Sequence, residues 1–418
     1  MKRFVICVLI SLLSGCAESG TPTSSENGGK VFGWRSAGLV LPDANSTGGV
    51  HKLTHVGDVL FAMDAYTPHP VLDTSRPYQY RIWKGHVGSQ HWDSLPMPKG
   101  NFPNGWVVLG ERLLVGTRYT GEVWAYDPAT GKWDSLPVPA SKQGPTRFPQ
   151  VTMMGVFGNK LVMGVIAYGG YRSEFFSWIG DPFTGQGTMI PGIGDSAKLP
   201  VSYVQEFSGA LFGIHKTYGV FRYNLGDPAW EQLPSPRGRT ATVTVDPCAQ
   251  GSSALGNVVK ASCPTTSANP EDEFASLLGV HDSHLYVGYT DYKDGLYRWN
   301  GDGTWRKMTP VSDTLNLVEA PRDIRSFESY RGRMYMSGTQ YSTPLHWKPK
   351  DTAVPHFGDW MNLPNGWCRD EYGCGSQTWG LMGLGDTLYA IGWGFVAKVP
   401  LSEIDSMAVH QYDPKFYK

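Results

Sequence analysis

The sequence lacks the short motifs that identify many enzymes. It has no Gly-x-Ser-x-Gly nucleophile elbow, no His-Glu-x-x-His metal motif and no Gly-rich phosphate loop ending in Gly-Lys-Ser or Gly-Lys-Thr. Hydrolases, metalloproteases and nucleotide hydrolases that depend on these motifs are therefore excluded. Acid–base pairs scattered over the chain would leave no such motif, so other enzyme classes stay open.

The sequence also lacks a strong charge bias and a membrane-length apolar run. Lys and Arg number 36 against 37 Asp and Glu, and no long run of like charge occurs. Nucleic-acid binding, which requires a basic face, is not indicated. The longest apolar run near the N-terminus covers only residues 4–13, whereas a spanning helix needs about 20 residues.

The N-terminus has the organisation of an export signal. Lys2 and Arg3 precede the apolar run, which ends in Leu-Ser-Gly-Cys at residues 13–16. This ending resembles the lipobox of bacterial lipoproteins and implies cleavage after residue 15 and a lipid on Cys16. Residues 16–30, rich in Gly, Ser and Thr, are then a flexible tether. An ordinary secretory signal is the alternative interpretation.

Lipidation would anchor the protein in the bacterial cell envelope, with its folded part outside the cytoplasm. Ala17, rather than Asp, follows the cysteine, and by resemblance to enterobacterial sorting this indicates the outer membrane or the cell surface. Several acyl chains on one residue would make the anchorage stable.

Four cysteines remain after the lipobox, an even number that suits an oxidising compartment. The simplest of three possible pairings joins Cys248 to Cys263 and Cys368 to Cys374. A zinc site is the rival interpretation, but no Cys-x-x-Cys occurs and neither pair has a histidine at finger-like spacing. We therefore predict two disulfides, no metal and no cofactor.

Glycine, proline and aromatic residues are abundant, with 51 Gly, 30 Pro and 13% Phe, Trp and Tyr. They recur in a repeated unit, seen in VWAYDPATGKWDSLP at 123–137, in which an aromatic strand, a tight turn and Trp-x-x-Leu-Pro follow one another. Each unit contains four short apolar strands separated by turn residues. Six such units cover residues 49–98, 103–139, 148–193, 201–236, 274–310 and 322–364.

A seventh unit begins at residue 379 but contains only three strands before residue 400. Residues 31–42 carry a Trp and a Leu-Pro ending and can supply the fourth strand. A repeat of 40–50 residues with four strands predicts an all-β, seven-bladed β-propeller with antiparallel blades, closed by an N-terminal strand. Six blades plus a cap is the alternative. The propeller covers 31–403, with an insertion at 237–273 and a C-terminal tail at 404–418.

The repeated pattern resembles the kelch repeat, whose third and fourth strands read similarly. Kelch repeats carry a Gly-Gly doublet after the second strand, and here only Gly169-Gly170 comes close, with single glycines elsewhere. The resemblance implies a kelch-like propeller, while other propeller families remain open. For the repeated Trp and Tyr residues we predict a structural role between blades.

One mouth of the propeller is the predicted binding surface. It is formed by the segments between second and third strands and by those that lead into each inner strand. Most of these segments carry an aromatic residue beside polar ones, which suits a sugar ring or an extended peptide. Capping of the core between blades is the alternative for the aromatics. The candidate ligand-binding residues are Tyr66, Tyr119, Tyr168, Tyr218, Tyr292, Tyr341, Trp393, Arg118, His215, Arg322 and Arg325.

The sequence therefore predicts a lipid-anchored, extracytoplasmic and monomeric propeller. We expect it to bind a carbohydrate or a protein partner at one channel mouth, and not nucleic acid. A glycan-active propeller enzyme, such as an epimerase or a lyase, and a scaffold subunit of an envelope complex are the alternatives.

Overall fold

The computed structural model describes the strands and most of their turns. The described residues are 35–40, 50–66, 79–139, 148–168, 174–193, 201, 203–215, 219–236, 275–289, 296–308, 322–340, 345–347, 360–362, 378–392 and 395–403. The predicted signal peptide, tether, lipidation site Cys16, insertion 237–273, all four paired cysteines and the C-terminal tail lie outside them.

The described strands form seven four-stranded antiparallel sheets. In chain order the strands are β1 (Arg35–Val40), β2 (Val50–Val56), β3 (Val59–Tyr66), β4 (Gln79–His86), β5 (Trp92–Leu95), β6 (Phe102–Leu109), β7 (Arg112–Arg118), β8 (Val123–Asp127), β9 (Lys132–Ser135), β10 (Phe148–Phe157), β11 (Lys160–Tyr168), β12 (Glu174–Gly180), β13 (Gly187–Ile190), β14 (Tyr203–Phe207), β15 (Ala210–His215), β16 (Gly219–Tyr223), β17 (Glu231–Gln232), β18 (Ala275–His281), β19 (His284–Tyr289), β20 (Leu296–Trp299), β21 (Trp305–Lys307), β22 (Arg322–Tyr330), β23 (Arg333–Gln340), β24 (Leu345–Trp347), β25 (Trp360–Asn362), β26 (Thr378–Leu384), β27 (Thr387–Gly392) and β28 (Phe395–Pro400).

Six sheets are built from consecutive strands, beginning with β2–β5, which we call blade 1, and ending with β22–β25, blade 6. The remaining sheet has the order β1-β28-β27-β26, so both ends of the described chain contribute to it. We call it blade 7. The inner strands of successive blades contact one another, including β26 with β2, and they therefore enclose a central channel.

The closing strand β1 is shorter than the predicted segment 31–42. Arg35 pairs with Lys398 and Val40 pairs with Phe395, and the register shifts between Ser36 and Val40. Gly38, at φ 91°, lies inside this irregularity and approaches Gln90 of blade 1 so closely that a Cβ would stand 2.2 Å from its carbonyl oxygen. Only glycine fits both constraints. The ring is thus closed by direct contact between blades 7 and 1.

Sequence and local geometry agree on why the strands form. The turn between first and second strands is two residues long in most blades and uses a positive φ, as at Gly57 and Gly158. Val, Leu, Ile and aromatic residues on the strands are buried between neighbouring blades. One cluster, for example, joins Met63 and Ile82 of blade 1 to Leu113 of blade 2. The core is therefore a series of layers between blades.

The repeated Trp-x-x-Leu-Pro sequence ties each of several blades to the one before it. The indole Nε1 of Trp230 donates a hydrogen bond of 2.8 Å to the carbonyl oxygen of Pro191, and Trp305 donates one of 2.8 Å to that of Pro234. Trp92 makes the equivalent bond, of 2.9 Å, to Ala37 of the closing strand. The proline that ends an outer strand thus also presents a carbonyl to the next blade. The sequence had predicted only a strand-ending role for it.

The two faces of the ring differ. At one face the chain passes from second to third strand and into the next blade; we call it the mouth face. At the other face lie the hairpins between first and second and between third and fourth strands; we call it the turn face. Phe102 at the start of β6 pairs with Arg118 at the end of β7, which places both at the mouth face. Arg35 pairs near the end of β28, so β1 begins at the turn face.

Candidate functional site

Two strained residues lie at the mouth face of blade 2. Lys99 has φ 56° and Tyr119 has φ 76°, both in the left-handed region that ordinary side chains rarely adopt. The other described non-glycine residues with positive φ lie in the tight hairpins of the turn face: Ser208, Asp282, Ser283 and Arg331. Strain outside a hairpin persists only where the surroundings hold it, and it clusters at ligand-binding segments.

Each strained residue takes part in a cation–aromatic pair. The Arg118 guanidinium carbon lies 5.3 Å from the centre of the Tyr119 ring, and the Phe102 ring meets Tyr119 edge to face at 6.1 Å. Lys99 Nζ lies 5.3 Å from the centre of the Trp124 ring. Such pairs combine apolar ring surface with positive charge. We call Lys99, Phe102, Arg118 and Tyr119 the blade 2 platform; Trp124 is only 6% exposed, so it supports Lys99 and offers no surface to a ligand.

A carboxylate behind the platform fixes its position. Glu122 Oε2 accepts hydrogen bonds from Trp124 Nε1, at 3.0 Å, and from Asn101 Nδ2, at 3.2 Å. The buried Thr117 hydroxyl lies 2.6 Å from that of Thr120 and bonds both the backbone amide and the carbonyl of Glu122. These bonds connect the segment before β6 to the segment after β7, which explains how the strained backbone is held.

In blade 1, the strand position equivalent to Thr117 holds a buried acid. Asp64 is 0% exposed and accepts hydrogen bonds from Arg81, at 2.6 and 3.3 Å, and from Trp83 Nε1, at 3.1 Å. Its carboxylate is therefore fully used in orienting Arg81 and is not available to a ligand.

His215 occupies in blade 4 the register position that Asp64 has in blade 1, at the mouth end of β15. It is partly buried, and burial lowers the pKa of its imidazole to about 4. The ring is therefore neutral at physiological pH and can both donate and accept a hydrogen bond.

Three ionisable side chains project from the inner strands around the channel. Lys52 of β2 and Tyr203 of β14 stand at equivalent positions, each four residues before the end of its strand. Both side chains are exposed, Tyr203 to 42%, yet surrounding protein desolvates them, lowering the pKa of Lys52 and raising that of Tyr203. Side chains that are accessible to solvent but surrounded by protein are typical of the wall of a narrow channel.

Glu328 of β22 lies nearer the turn face than Lys52 and Tyr203 do. Burial raises the pKa of its carboxyl to about 7, although a 2.9 Å hydrogen bond from the Gly383 amide opposes the shift. The negative charge of Glu328 also contributes to raising the pKa of Tyr203, for which burial is the larger cause. Glu328 of blade 6 and Tyr203 of blade 4 therefore interact electrostatically. Perturbed ionisable groups in an enclosed space mark a candidate site.

The turn face carries a separate, open cleft of 540 Å³ beside blades 3, 4 and 5. Gln205, Glu206 and Ser208 of blade 4 form one side, and Val156 and Val280 lie on the flanking blades. The Glu206 carboxylate accepts a 2.6 Å hydrogen bond from the Gly158 amide, so this acid ties blades 3 and 4 together. The sequence gave no indication of a cleft at this face.

The structure locates only part of the predicted mouth. Arg118, Tyr119 and His215 lie at the mouth face with described side chains. The backbone of four others is described, and each lies in the mouth half of its strand: Tyr66, Tyr168, Arg322 and Arg325. The remaining predicted residues, Tyr218, Tyr292, Tyr341 and Trp393, lie outside the described residues.

One tryptophan of blade 2 belongs to the core. Trp106 lies within β6, is 8% exposed and packs with apolar residues of blades 1 and 2. Sequence reasoning in turn missed Lys99 as a platform residue, because no pattern marked it. It also did not single out Trp124, which supports Lys99 and shares its register position with Trp83 of blade 1.

Two further searches of the described residues gave negative results. They contain no group of three or more His, Cys, Asp and Glu side chains able to hold a metal ion. They also contain no helix long and apolar enough to cross a membrane.

Comparison with solved structures supports the propeller fold. The chain is similar to the extracellular domain of the hybrid two-component system BT4673 from B. thetaiotaomicron (11% identity, TM-score 0.52), matching 88% of this chain and 39% of that one. It is similar to inactive virginiamycin B lyase from Staphylococcus aureus with quinupristin (10%, 0.52), matching 88% and 99%. It is also similar to YCF48 bound to D1 peptide (9%, 0.50), matching 88% and 94%.

These identities are low, so the likeness concerns the fold alone. No family model matches the chain. No curated protein matches it either. The kelch resemblance therefore stays a prediction from the repeat.

Proposed function

We propose that this protein is an extracytoplasmic binding propeller that recognises a carbohydrate at its mouth face, with the blade 2 platform as its principal contact. The observation that carries the proposal is the pairing of two strained residues, Lys99 and Tyr119, with two cation–aromatic pairs. Strain held by a hydrogen-bonded support is characteristic of a preorganised ligand contact. Aromatic surface beside polar groups is suited to sugar rings.

The distribution of exposed apolar side chains favours a carbohydrate over a protein partner. In the described part of the chain, the large exposed ones are Val87, Phe183, Met189, Tyr203 and Leu225. None lies on the mouth face: three are in turns of the turn face, one is on an outer strand and one is in the channel. Protein interfaces commonly centre on an exposed apolar patch, which the described mouth lacks.

Lipid anchoring, predicted from the sequence, is compatible with this orientation. Because β1 begins at the turn face, an anchor on Cys16, which precedes it in the chain, would place that face toward the membrane. The mouth face would then point away from the membrane and be accessible to glycans. Measuring the distance of each face from the bilayer tests this arrangement independently of ligand binding.

A glycan-array screen of the full chain, purified in mild detergent, tests the proposal. We expect saturable binding, weakened at least tenfold by Tyr119→Ala. Phe183→Ala is the matched control, because the Phe183 ring also pairs with a guanidinium, that of Arg112 at 5.5 Å, but on the turn face. It should bind as the native protein does.

Equal binding by both variants and the native protein would contradict the proposal, as would the absence of glycan binding. In the latter case, capture of a protein segment that is lost with Tyr119→Ala would indicate that the platform recognises a polypeptide. Turnover of the bound glycan would instead support the enzyme alternative.

A further inference from the structure

Lys52 has a setting unlike that of the other described lysines. Its side chain extends from the inner strand of blade 1 toward Gly105 of blade 2, where it is accessible to solvent yet surrounded by protein. In the described part of the chain no carboxylate forms an ion pair with it, and burial is the cause of its lowered pKa. An enclosed ammonium without a counter-ion is costly unless an anion can approach it.

The neighbouring blade leaves room beside this ammonium. Gly105 stands at the position of blade 2 that corresponds to Lys52, and a Cβ placed there would lie 3.7 Å from Lys52 Nζ, with no other atom of the described residues beyond its chain neighbours within 4 Å. The φ of Gly105 is not in the left-handed region, so backbone strain does not require glycine here. The missing side chain therefore keeps a space open next to the positive charge.

Further donors line the same channel. Tyr203 stands at the matching level of blade 4, and its raised pKa keeps the phenol protonated. Glu328, nearer the turn face, has its carboxyl pKa raised to about 7, so that near neutral pH much of it remains uncharged. At the level of Lys52 the described inner strands carry no acidic residue.

We propose that the channel contains an anion-binding site at its blade 1 side, in which Lys52 contacts the oxyanion group of a small ligand in the space beside Gly105. A carboxylate, sulfate or phosphate group meets the requirement, because each offers oxygens to an ammonium. The site is separate from the blade 2 platform and does not depend on carbohydrate binding there.

The test uses sulfate as probe, because it remains dianionic throughout the neutral pH range. The full chain is titrated with sodium sulfate by calorimetry, with sodium chloride adjusted to hold ionic strength constant. We expect saturable binding that Lys52→Met weakens at least tenfold. Gly105→Asp should weaken it similarly, since an internal carboxylate would pair with Lys52, whereas Gly105→Ala should change affinity by less than threefold.

Melting temperatures of the variants check that the ring is intact. If Lys52→Met fails to fold, the comparison of Gly105→Asp with Gly105→Ala still decides the question, because the two differ only in the carboxylate. The proposal is overturned if the native chain shows no saturable binding, or if Gly105→Asp binds sulfate as well as Gly105→Ala. Loss of glycan binding through Tyr119→Ala should leave sulfate affinity unchanged, which separates the two proposals.

Discussion

The hydrogen bond from a fourth-strand tryptophan to the preceding blade should contribute measurably to the stability of the ring. Trp305 and Trp133 form a matched pair for measuring it. Both are partly exposed, and both rings pack on a third-strand aromatic, Trp305 on Trp299 at 4.8 Å and Trp133 on Tyr126 at 5.0 Å. Trp305 donates to Pro234, whereas Trp133 makes no such bond among the described residues.

Replacing each tryptophan by phenylalanine removes similar ring area, but only Trp305→Phe removes the hydrogen bond. A typical intramolecular hydrogen bond contributes about 1 kcal/mol net, with a range of roughly 0.5–1.5. Trp305→Phe should therefore lower the free energy of unfolding by about 1 kcal/mol more than Trp133→Phe. Trp230→Phe should cost at least as much, because its indole is only 8% exposed and loses buried ring surface as well as the hydrogen bond.

Urea unfolding followed by far-ultraviolet circular dichroism measures this difference without depending on tryptophan fluorescence. The slope of the transition should be unchanged, so that the shift in midpoint reports stability alone. Equal losses for Trp305→Phe and Trp133→Phe would refute the reasoning. The repeated Trp-Pro contact would then contribute through ring packing only.

Three further predictions concern other parts of the ring. Because the folded-state pKa of Glu328 is raised, the folded protein binds more protons than the unfolded one between about pH 4.5 and 7. The free energy of unfolding should therefore fall as pH rises through this range, by up to about 3 kcal/mol. Glu328→Gln should flatten this profile, measured by thermal unfolding from pH 4 to 8. Asp64→Asn should cost about 2–4 kcal/mol in urea unfolding because it breaks a buried ion pair, and a loss below about 1 kcal/mol would contradict the assigned role. Gly38→Ala should lower the melting temperature much more than Gly57→Ala, since both have positive φ but only Gly38 would clash, with Gln90; equal shifts would show that blades 7 and 1 adjust to the clash.

Local signals in the sequence were sufficient for the strands, because they depend on residues adjacent in the chain. Turn residues such as Gly57 and the alternation of apolar residues around it identify a hairpin without knowledge of the rest of the fold. The recurring Trp-x-x-Leu-Pro gave the period, and the period gave the propeller. The role of Pro234 as acceptor was not evident, because its donor Trp305 is 71 residues away along the chain.

The candidate sites were less predictable, for a related reason. Tyr119 and Arg118 were identified because an aromatic follows the second strand in most units. Lys99 was not, because its importance depends on a left-handed backbone and on Trp124, which comes from a different strand.

What the sequence by itself determined is the repeat and the strands within it, since both depend on residues that are neighbours in the chain. What only the tertiary structure decided is which side chains share the channel. Lys52, Tyr203 and Glu328 belong to blades 1, 4 and 6, and nothing in their local sequence distinguishes them from surface residues. They meet because the ring closes and turns equivalent positions of its inner strands toward one space. Enclosure by that ring, and not residue type, shifts their pKa values.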